Sequence, residues 1–399
     1  MRIRAIQIAL RYAIKPLACG TLLVCVASLV GCSKMLAPPA IGFEAPVAYT
    51  TGGTIPISAQ AADFDSDGKM DLAVANQGSG NVAILRGNGD GTLQTAVTYA
   101  LNSNGSFPVA LAVGDFNRDR KPDIAVLNAS SGASVPTVTI LLNQGDGTFG
   151  TPHNITTPAN GQSIAVGDLN GDGDVDLWIG APGKSFLMLG NGDGTFEAPV
   201  AYATSPSGTG GGMGVAMGDL NNDGKLDLTA SNFLPGTVGV LLNTGNDTFS
   251  MPSTVPVLNT PAGMALVDFD RDGNLDIIVT NYNFNSATIL FGAGDGTFVR
   301  KTFAAAGSLP IAVAVADFDG SGNLSLAFAD YGGDGITYVS GLPGGNIDLT
   351  YDFPTGSSKF VSPKVSSVVA ADFNGDGLPD IAAVNSGENS VAILITKLP

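Results

Sequence analysis

Aspartate or asparagine recurs at alternate positions of a short glycine-containing loop, and the loop itself recurs along the chain. The first copy is Asp63-Phe64-Asp65-Ser66-Asp67-Gly68-Lys69-Met70-Asp71. Related copies begin at Asp115, Asp168, Asp219, Asp268, Asp317 and Asp372, with steps of 52, 53, 51, 49, 49 and 55 residues. Carboxylate or amide oxygens at positions one, three, five and nine converge on one point in a tight loop. Glycine at position six permits the bend, and the main-chain carbonyl of position seven completes the set. That is the chemistry of a hard-cation site with oxygen ligands, and its size and flexibility suit calcium better than octahedral magnesium.

Five loops fit the pattern fully: Asp63, Asp65, Asp67 and Asp71 with Lys69 at position seven; Asp168, Asn170, Asp172 and Asp176 with Asp174; Asp219, Asn221, Asp223 and Asp227 with Lys225; Asp268, Asp270, Asp272 and Asp276 with Asn274; and Asp372, Asn374, Asp376 and Asp380 with Leu378. The second loop keeps Asp115, Asn117, Asp119 and Asp123, with Lys121 at position seven, but has Arg120 where glycine belongs, so weaker binding is expected there. The sixth has Asp317 and Asp319 with Ser321 and Ser325, and is expected to be empty or weakly filled. About five to six calcium ions are therefore expected. Turn propensity alone favours Asp, Asn and Gly in a single hairpin. It does not account for five matches in register. Unneutralised carboxylates at about 4 Å repel by about 4 kcal/mol at an effective dielectric of ~20.

Short β-prone runs must position these loops. An apolar run such as Ile311–Ala316 precedes each loop, and another such as Leu72–Ala75 follows it. A third run such as Val82–Leu85 comes next, then usually a Gly-Asp-Gly-Thr-Phe turn and a fourth. Four strands in about 50 residues make an antiparallel meander, and a sheet repeated at that period reads as a propeller blade. The fold class is thus all-β, a seven-bladed β-propeller over residues 41–399. The last unit stops after its third strand, while Phe43–Tyr49 is identical to Phe196–Tyr202 of the third unit. The N-terminal strand is therefore expected to complete the last blade and remove an open edge.

These repeats resemble FG-GAP or VCBS repeats, the blades of the propeller at the head of integrin α-subunits. The resemblance covers nearly all of residues 41–399. It implies structural calcium in the acidic loops, on the face away from the ligand. The name-giving pieces are scattered here, as Phe291-Gly292 and Gly180-Ala181-Pro182, which suggests a shorter bacterial variant.

The 399 residues carry a formal charge of -17 with 44% hydrophobic residues, too apolar for disorder and too acidic for nucleic acid as a partner. Residues 1–31 read as a lipoprotein signal peptide: Arg2, Arg4, Arg11 and Lys15 lead into an apolar run ending Leu29-Val30-Gly31-Cys32. Cys32 is then the lipidated residue, 32–40 a short tether, and lipid at Cys32 the only membrane contact. The protein is expected to be exported, anchored in a bacterial envelope with the outer membrane or cell surface favoured, and monomeric.

Enzyme readings find little to stand on. A Ser-His-Asp triad would need the sole histidine, His153, which reads as a surface strand residue, while Trp178 reads as core. The expected role is a binding or adhesion module for a glycan or protein, on the face opposite the calcium loops. There Phe233, Tyr282, Phe284 and Tyr331 lie in three successive second turns. The alternative is a polysaccharide-degrading, lyase-type enzyme on a calcium-containing propeller.

Overall fold

Each acidic loop is the hairpin connection between the first two strands of a four-stranded antiparallel sheet, and seven such sheets form. The computed structural model describes residues 41–101, 106–130, 135–208, 211–357 and 362–398. The segment expected as a signal peptide, 1–31, and that expected as a lipidated Cys32 with its tether, 32–40, lie outside the described residues. Among the described residues no helix is long and apolar enough to cross a membrane.

Blade one consists of Pro56–Ala62, Asp71–Asn76, Asn81–Leu85 and Val97–Ala100. Blades two to six occupy 106–156, 163–202, 212–256, 261–305 and 310–354. Blade seven takes Val365–Ala371, Asp380–Asn385 and Ser390–Leu394, and the strand beside the last of these is Val47–Thr50, paired antiparallel from Val47 with Ile393 to Thr50 with Ser390. Residues Phe43–Lys397 form one compact unit, with the innermost strands touching in cyclic order from blade one to blade seven and back.

Burial follows the strand position. Second strands such as Asp71–Asn76 and Ile277–Thr280 are buried throughout and read as continuous apolar runs, because both faces meet a neighbouring blade. Outer strands such as Val97–Ala100 are mostly exposed. First strands line an axial cavity of about 410 Å³, to which all seven blades contribute. Side-chain space is least there: a Cβ on Gly214 would lie 2.3 Å from the Ala262 carbonyl oxygen.

The blades interlock through position two of the acidic loop. Phe64, Phe116, Leu169, Leu220, Phe269, Phe318 and Phe373 occupy it, and all are buried. The residue after the third turn of the next blade packs on each. Phe149 meets Phe64 edge-on at 5.6 Å, Phe196 meets Phe116 at 5.8 Å, and Phe43 meets Phe318 at 6.2 Å. The phenylalanine of the Gly-Asp-Gly-Thr-Phe turn is thus a knob between blades rather than a turn residue. Hydrogen bonds lie beside it. Gly91, Gly194 and Gly296 donate to the position-two carbonyls of Phe373, Phe116 and Leu220 at 2.9, 2.8 and 3.0 Å. Asn143 and Asn243 do so through Nδ2 to Phe64 and Leu169, each at 2.9 Å.

Phe64 touches Phe149, which in turn stacks edge-on with Tyr99 at 5.3 Å. Phe64→Ala should cost about 3–5 kcal/mol. A denaturant midpoint within error of the wild type would show that the aromatic knob does not join the blades.

Candidate metal loops and the opposite face

All seven loops adopt one backbone conformation. Position four has positive φ in every copy: Ser66 at 62°, Arg118 at 61°, Gly171 at 79°, Asn222 at 56°, Arg271 at 60°, Gly320 at 64° and Gly375 at 77°. So does position six, where Arg120 at 65° takes the conformation that glycine holds in the other six. The missing glycine of loop two therefore costs strain, not geometry. In loop one, Asp63 Oδ1 and Oδ2 accept the amides of Asp67 and Gly68 at 3.1 and 2.8 Å. In loop two, Asp115 accepts those of Asp119 and Arg120 at 3.1 and 2.7 Å.

Position nine has a second role that its spacing did not reveal. Asp71, Asp123, Asp176, Asp227, Asp276 and Asp380 are fully buried first residues of second strands. Each accepts two backbone amides. Asp71 takes those of Phe64 at 3.0 Å and Gly87 at 2.8 Å, and Asp276 those of Phe269 at 2.8 Å and Gly292 at 2.9 Å. Burial pushes all six carboxyls up to about 6, against the pull of those amides. Ser325 holds the place in loop six, its Oγ accepting the Gly341 amide at 3.0 Å.

The carboxylates converge most closely in loops one and five. Ligand oxygens of Asp63, Asp65 and Asp71, and of Asp268, Asp270 and Asp276, lie within 4.8 Å of one another. Asp67 and Asp272 at position five are outside these clusters. Asp65 Oδ1 and Asp270 Oδ1 are buried without a hydrogen-bond partner, as is Asp317 Oδ1 in loop six. Asp65 Oδ2 pairs with Arg86 at 3.4 Å, and Asp270 Oδ2 with Arg300 at 3.3 Å, whose guanidinium lies 3.8 Å over the Phe291 ring. Lys69, Lys121 and Lys225 at position seven reach back to Asp67, Asp119 and Asp223 at 3.1, 3.2 and 2.9 Å. Asp174 instead pairs with Arg118 of the preceding loop. In loops three and seven, Asn170 and Asn374 donate from Nδ2 to Asp172 and Asp376, each at 2.9 Å. In loop four, Asn221 Oδ1 accepts the Asp223 amide at 3.1 Å.

On the opposite face the aromatic second turns of blades four to six are joined in series. The Thr260 amide donates to the Phe233 carbonyl at 3.1 Å, and the Tyr282 amide to the Thr260 carbonyl at 3.0 Å. Leu309 N–H donates to Asn285 Oδ1 at 3.1 Å, and Tyr331 N–H to the Leu309 carbonyl at 3.3 Å. Thr260 and Leu309, both before proline, have positive φ of 61° and 51°. Phe284 is 49% exposed on a single turn, Tyr282–Phe284, whereas Phe233, Tyr282 and Tyr331 are half-buried. Leu234, which the sequence reading passed over, is 84% exposed. It joins Phe233, Met213 and Pro182 around a cleft of about 160 Å³. His153 is exposed on the outer strand of blade two, and Trp178 is buried, donating from Nε1 to the Thr229 carbonyl at 3.0 Å.

Blade six carries one more departure. The sixth residue of the second strand is asparagine in five blades, as Asn76, Asn128, Asn232, Asn281 and Asn385, all buried, and is Asp330 in blade six. Aligning the second strands on their first residue would have found it. Burial pushes its carboxyl up to about 7, against a hydrogen bond from Thr337.

Seven four-stranded blades in cyclic contact, each opening on the same acidic loop, define a β-propeller built from acidic-loop repeats. The chain belongs to the FG-GAP repeat family: the FG-GAP-like repeat matches residues 63–126, 122–179, 168–230 and 268–326, and the FG-GAP repeat matches 365–394. It is 30% identical over 176 residues to phosphatidylinositol-glycan-specific phospholipase D of Rattus norvegicus, across 37% of this chain and 20% of that enzyme. Among solved structures it is similar to BBS1N in complex with ARL6DN, with a TM-score of 0.60, 14% identity and coverage of 90% and 97% of the two chains. It is also similar to an Agrocybe aegerita lectin specific for non-reducing terminal N-acetylglucosamine, with a TM-score of 0.56, 16% identity and coverage of 89% and 96%. At these identities the likeness is one of fold.

Asp330 ionises near its ordinary value of ~3.9 in the unfolded chain but near 7 when folded, so its proton is held by the native state between those limits. Wild-type stability from this group is therefore full below about 4 and lost as pH rises through about 7. Asp330→Asn should match the wild type in chemical denaturation at pH 4 and exceed it at pH 8. An equal difference at both pH values would contradict the assignment.

Proposed function

We propose that this propeller is a calcium-stabilised binding module, anchored in a bacterial envelope through Cys32, that takes its ligand on the face opposite the metal loops. The observation that carries the metal reading is the pair of buried carboxylate oxygens, Asp65 Oδ1 and Asp270 Oδ1, which lack a donor within three-carboxylate clusters. A buried acceptor without a donor is costly, and a cation with oxygen ligands satisfies it. In the other loops asparagine oxygens at position three would serve. The lysines at position seven form exposed pairs of little worth, which a divalent ion outcompetes. Calcium bound there would stiffen the loops and the position-two knobs beside them. It is assigned a structural role and no step in a reaction.

For the ligand, the serially joined turns of blades four to six support a continuous surface, with Phe284 outward and Tyr282 and Tyr331 half-buried beside asparagines. Aromatic faces next to amide groups suit sugar rings, and the lectin of like fold recognises N-acetylglucosamine. We therefore favour a glycan. The chain spans a fifth of the phospholipase's length, so no hydrolase activity is carried over to it.

Millimolar calcium added to chelated protein should raise the melting temperature, since a ligand at 100 times its Kd contributes about 2.7 kcal/mol. Asp65→Ala should blunt that shift while sparing the chelated protein. Asp71→Ala should destabilise both forms, by about 2–6 kcal/mol for its two orphaned amides. If calcium leaves the wild type unmoved, the metal assignment fails.

A glycan array probed with calcium-loaded protein should give hits that a Tyr282→Ala, Phe284→Ala double variant loses. Hits unaffected by that change would remove the patch.

A further inference from the structure

Asp330 is a carboxylate at the position where five other blades use a donor. Asn76 donates from Nδ2 to the Thr51 carbonyl and Asn81, Asn232 to the Thr204 carbonyl and Thr237, and Asn385 to the Thr355 carbonyl. An ionised carboxylate, which only accepts, cannot make these bonds. At 5% exposure, Asp330 has one oxygen in use: Oδ2 accepts from Thr337 Oγ1 at 2.7 Å, while Oδ1 is buried without a partner. The same Thr337 hydroxyl lies 2.8 Å from Asp352 Oδ1. Once Asp330 is ionised, one hydroxyl proton cannot serve both carboxylates. Asp330 and Asp352 line a cavity of about 290 Å³ with Asp334, Ile336, Phe353 and Pro354, and none of its lining residues is Lys, Arg or His.

We propose that this cavity binds a primary ammonium group on an unbranched alkyl stem, as presented by a lysine side chain of a protein partner. Three features select that ligand. Thr337 already bonds one oxygen of Asp330 and one of Asp352, so the wholly free oxygens stand on two different carboxylates, whereas a guanidinium fork pairs best with the two oxygens of one. An ammonium, with three independent donors, takes one oxygen from each. The three carboxylates are not among the clusters tight enough for a metal, which in the described residues are those of loops one and five. Ile336, Phe353 and Pro354 give the cavity an apolar wall that suits a methylene stem better than a hydroxylated amino sugar. The inference goes beyond the proposed glycan surface and uses none of its aromatic residues.

The test is calorimetric titration of calcium-loaded protein at pH 8 with n-butylammonium and Nα-acetyl-lysine N-methylamide, against Nα-acetyl-arginine N-methylamide, glucosamine and additional calcium. The two alkylammonium probes should bind one site, and at least tenfold more tightly than the guanidinium or the amino sugar. Asp330→Asn should weaken them at least tenfold, and Asp352→Asn likewise. Because asparagine is the residue of five other blades, Asp330→Asn should keep its fold, checked by its melting transition. The Tyr282→Ala, Phe284→Ala variant should bind the amines unchanged, so failure of the aromatic patch leaves this site standing. No saturable binding below about 100 mM, equal binding to Asp330→Asn, or preference for arginine, glucosamine or calcium would overturn the proposal.

Discussion

A buried carboxylate accepting two backbone amides is the interaction on which six of the seven blades depend, with the Ser325 hydroxyl in its place in the sixth. Asp71 and its equivalents start the second strand, where both faces are covered by neighbouring blades. One amide comes from position two of the acidic loop and the other from the start of the third turn, sixteen residues on. The same side chain therefore fixes two connections at one end of the blade. Position two then aims its ring at the next blade, and the third turn aims its own ring back at the preceding one. Remove the carboxylate and two buried amides lose their acceptor just where the blades interlock.

That dual use explains why the loops keep one shape while their ligand sets differ. Loop two has Arg120 at position six and loop six has serines at positions five and nine, yet both hold positive φ at positions four and six. The nest of amides around the position-one aspartate closes the loop without an ion. In loop six the Gly322 amide still reaches Asp317 at 2.8 Å. Loop geometry is thus set by internal hydrogen bonds, and the cation proposed for these loops would use whichever oxygens remain free. Asp65 and Asp270, the two aspartates at position three in fully matching loops, are where free buried oxygens remain.

Much of this architecture was legible in the chain. The period, the four short apolar runs and the acidic loops led to seven four-stranded blades, and Phe43–Tyr49 pointed to its partner strand by identity with Phe196–Tyr202. Within that segment the ladder begins only at Val47, because Phe43 serves as the knob against Phe318. Ligand spacing and amide-acceptor spacing coincide at position nine, so sequence alone could not separate Asp71 as a ligand from Asp71 as a brace. Arg86 and Arg300 were illegible for another reason: they reach Asp65 and Asp270 from the end of a third strand and from a fourth strand, 21 and 30 residues away, a contact that only tertiary structure creates.

The acidity of the chain divides along the same lines. More than half of its 35 acids stand at loop positions, where braces, lysines, arginines and any bound cation compensate them on one face. Asp330, Asp334 and Asp352 belong to the other face and have no such company. With a screening length of ~8 Å at physiological salt, the two sets of charge act separately. An aspartate buried in place of asparagine, sharing one threonine hydroxyl with a second aspartate, gives blade six a pair of acids that either keeps a proton or, once ionised, has room for a cation. The surface opposite the acidic loops is where that cation would be supplied from outside.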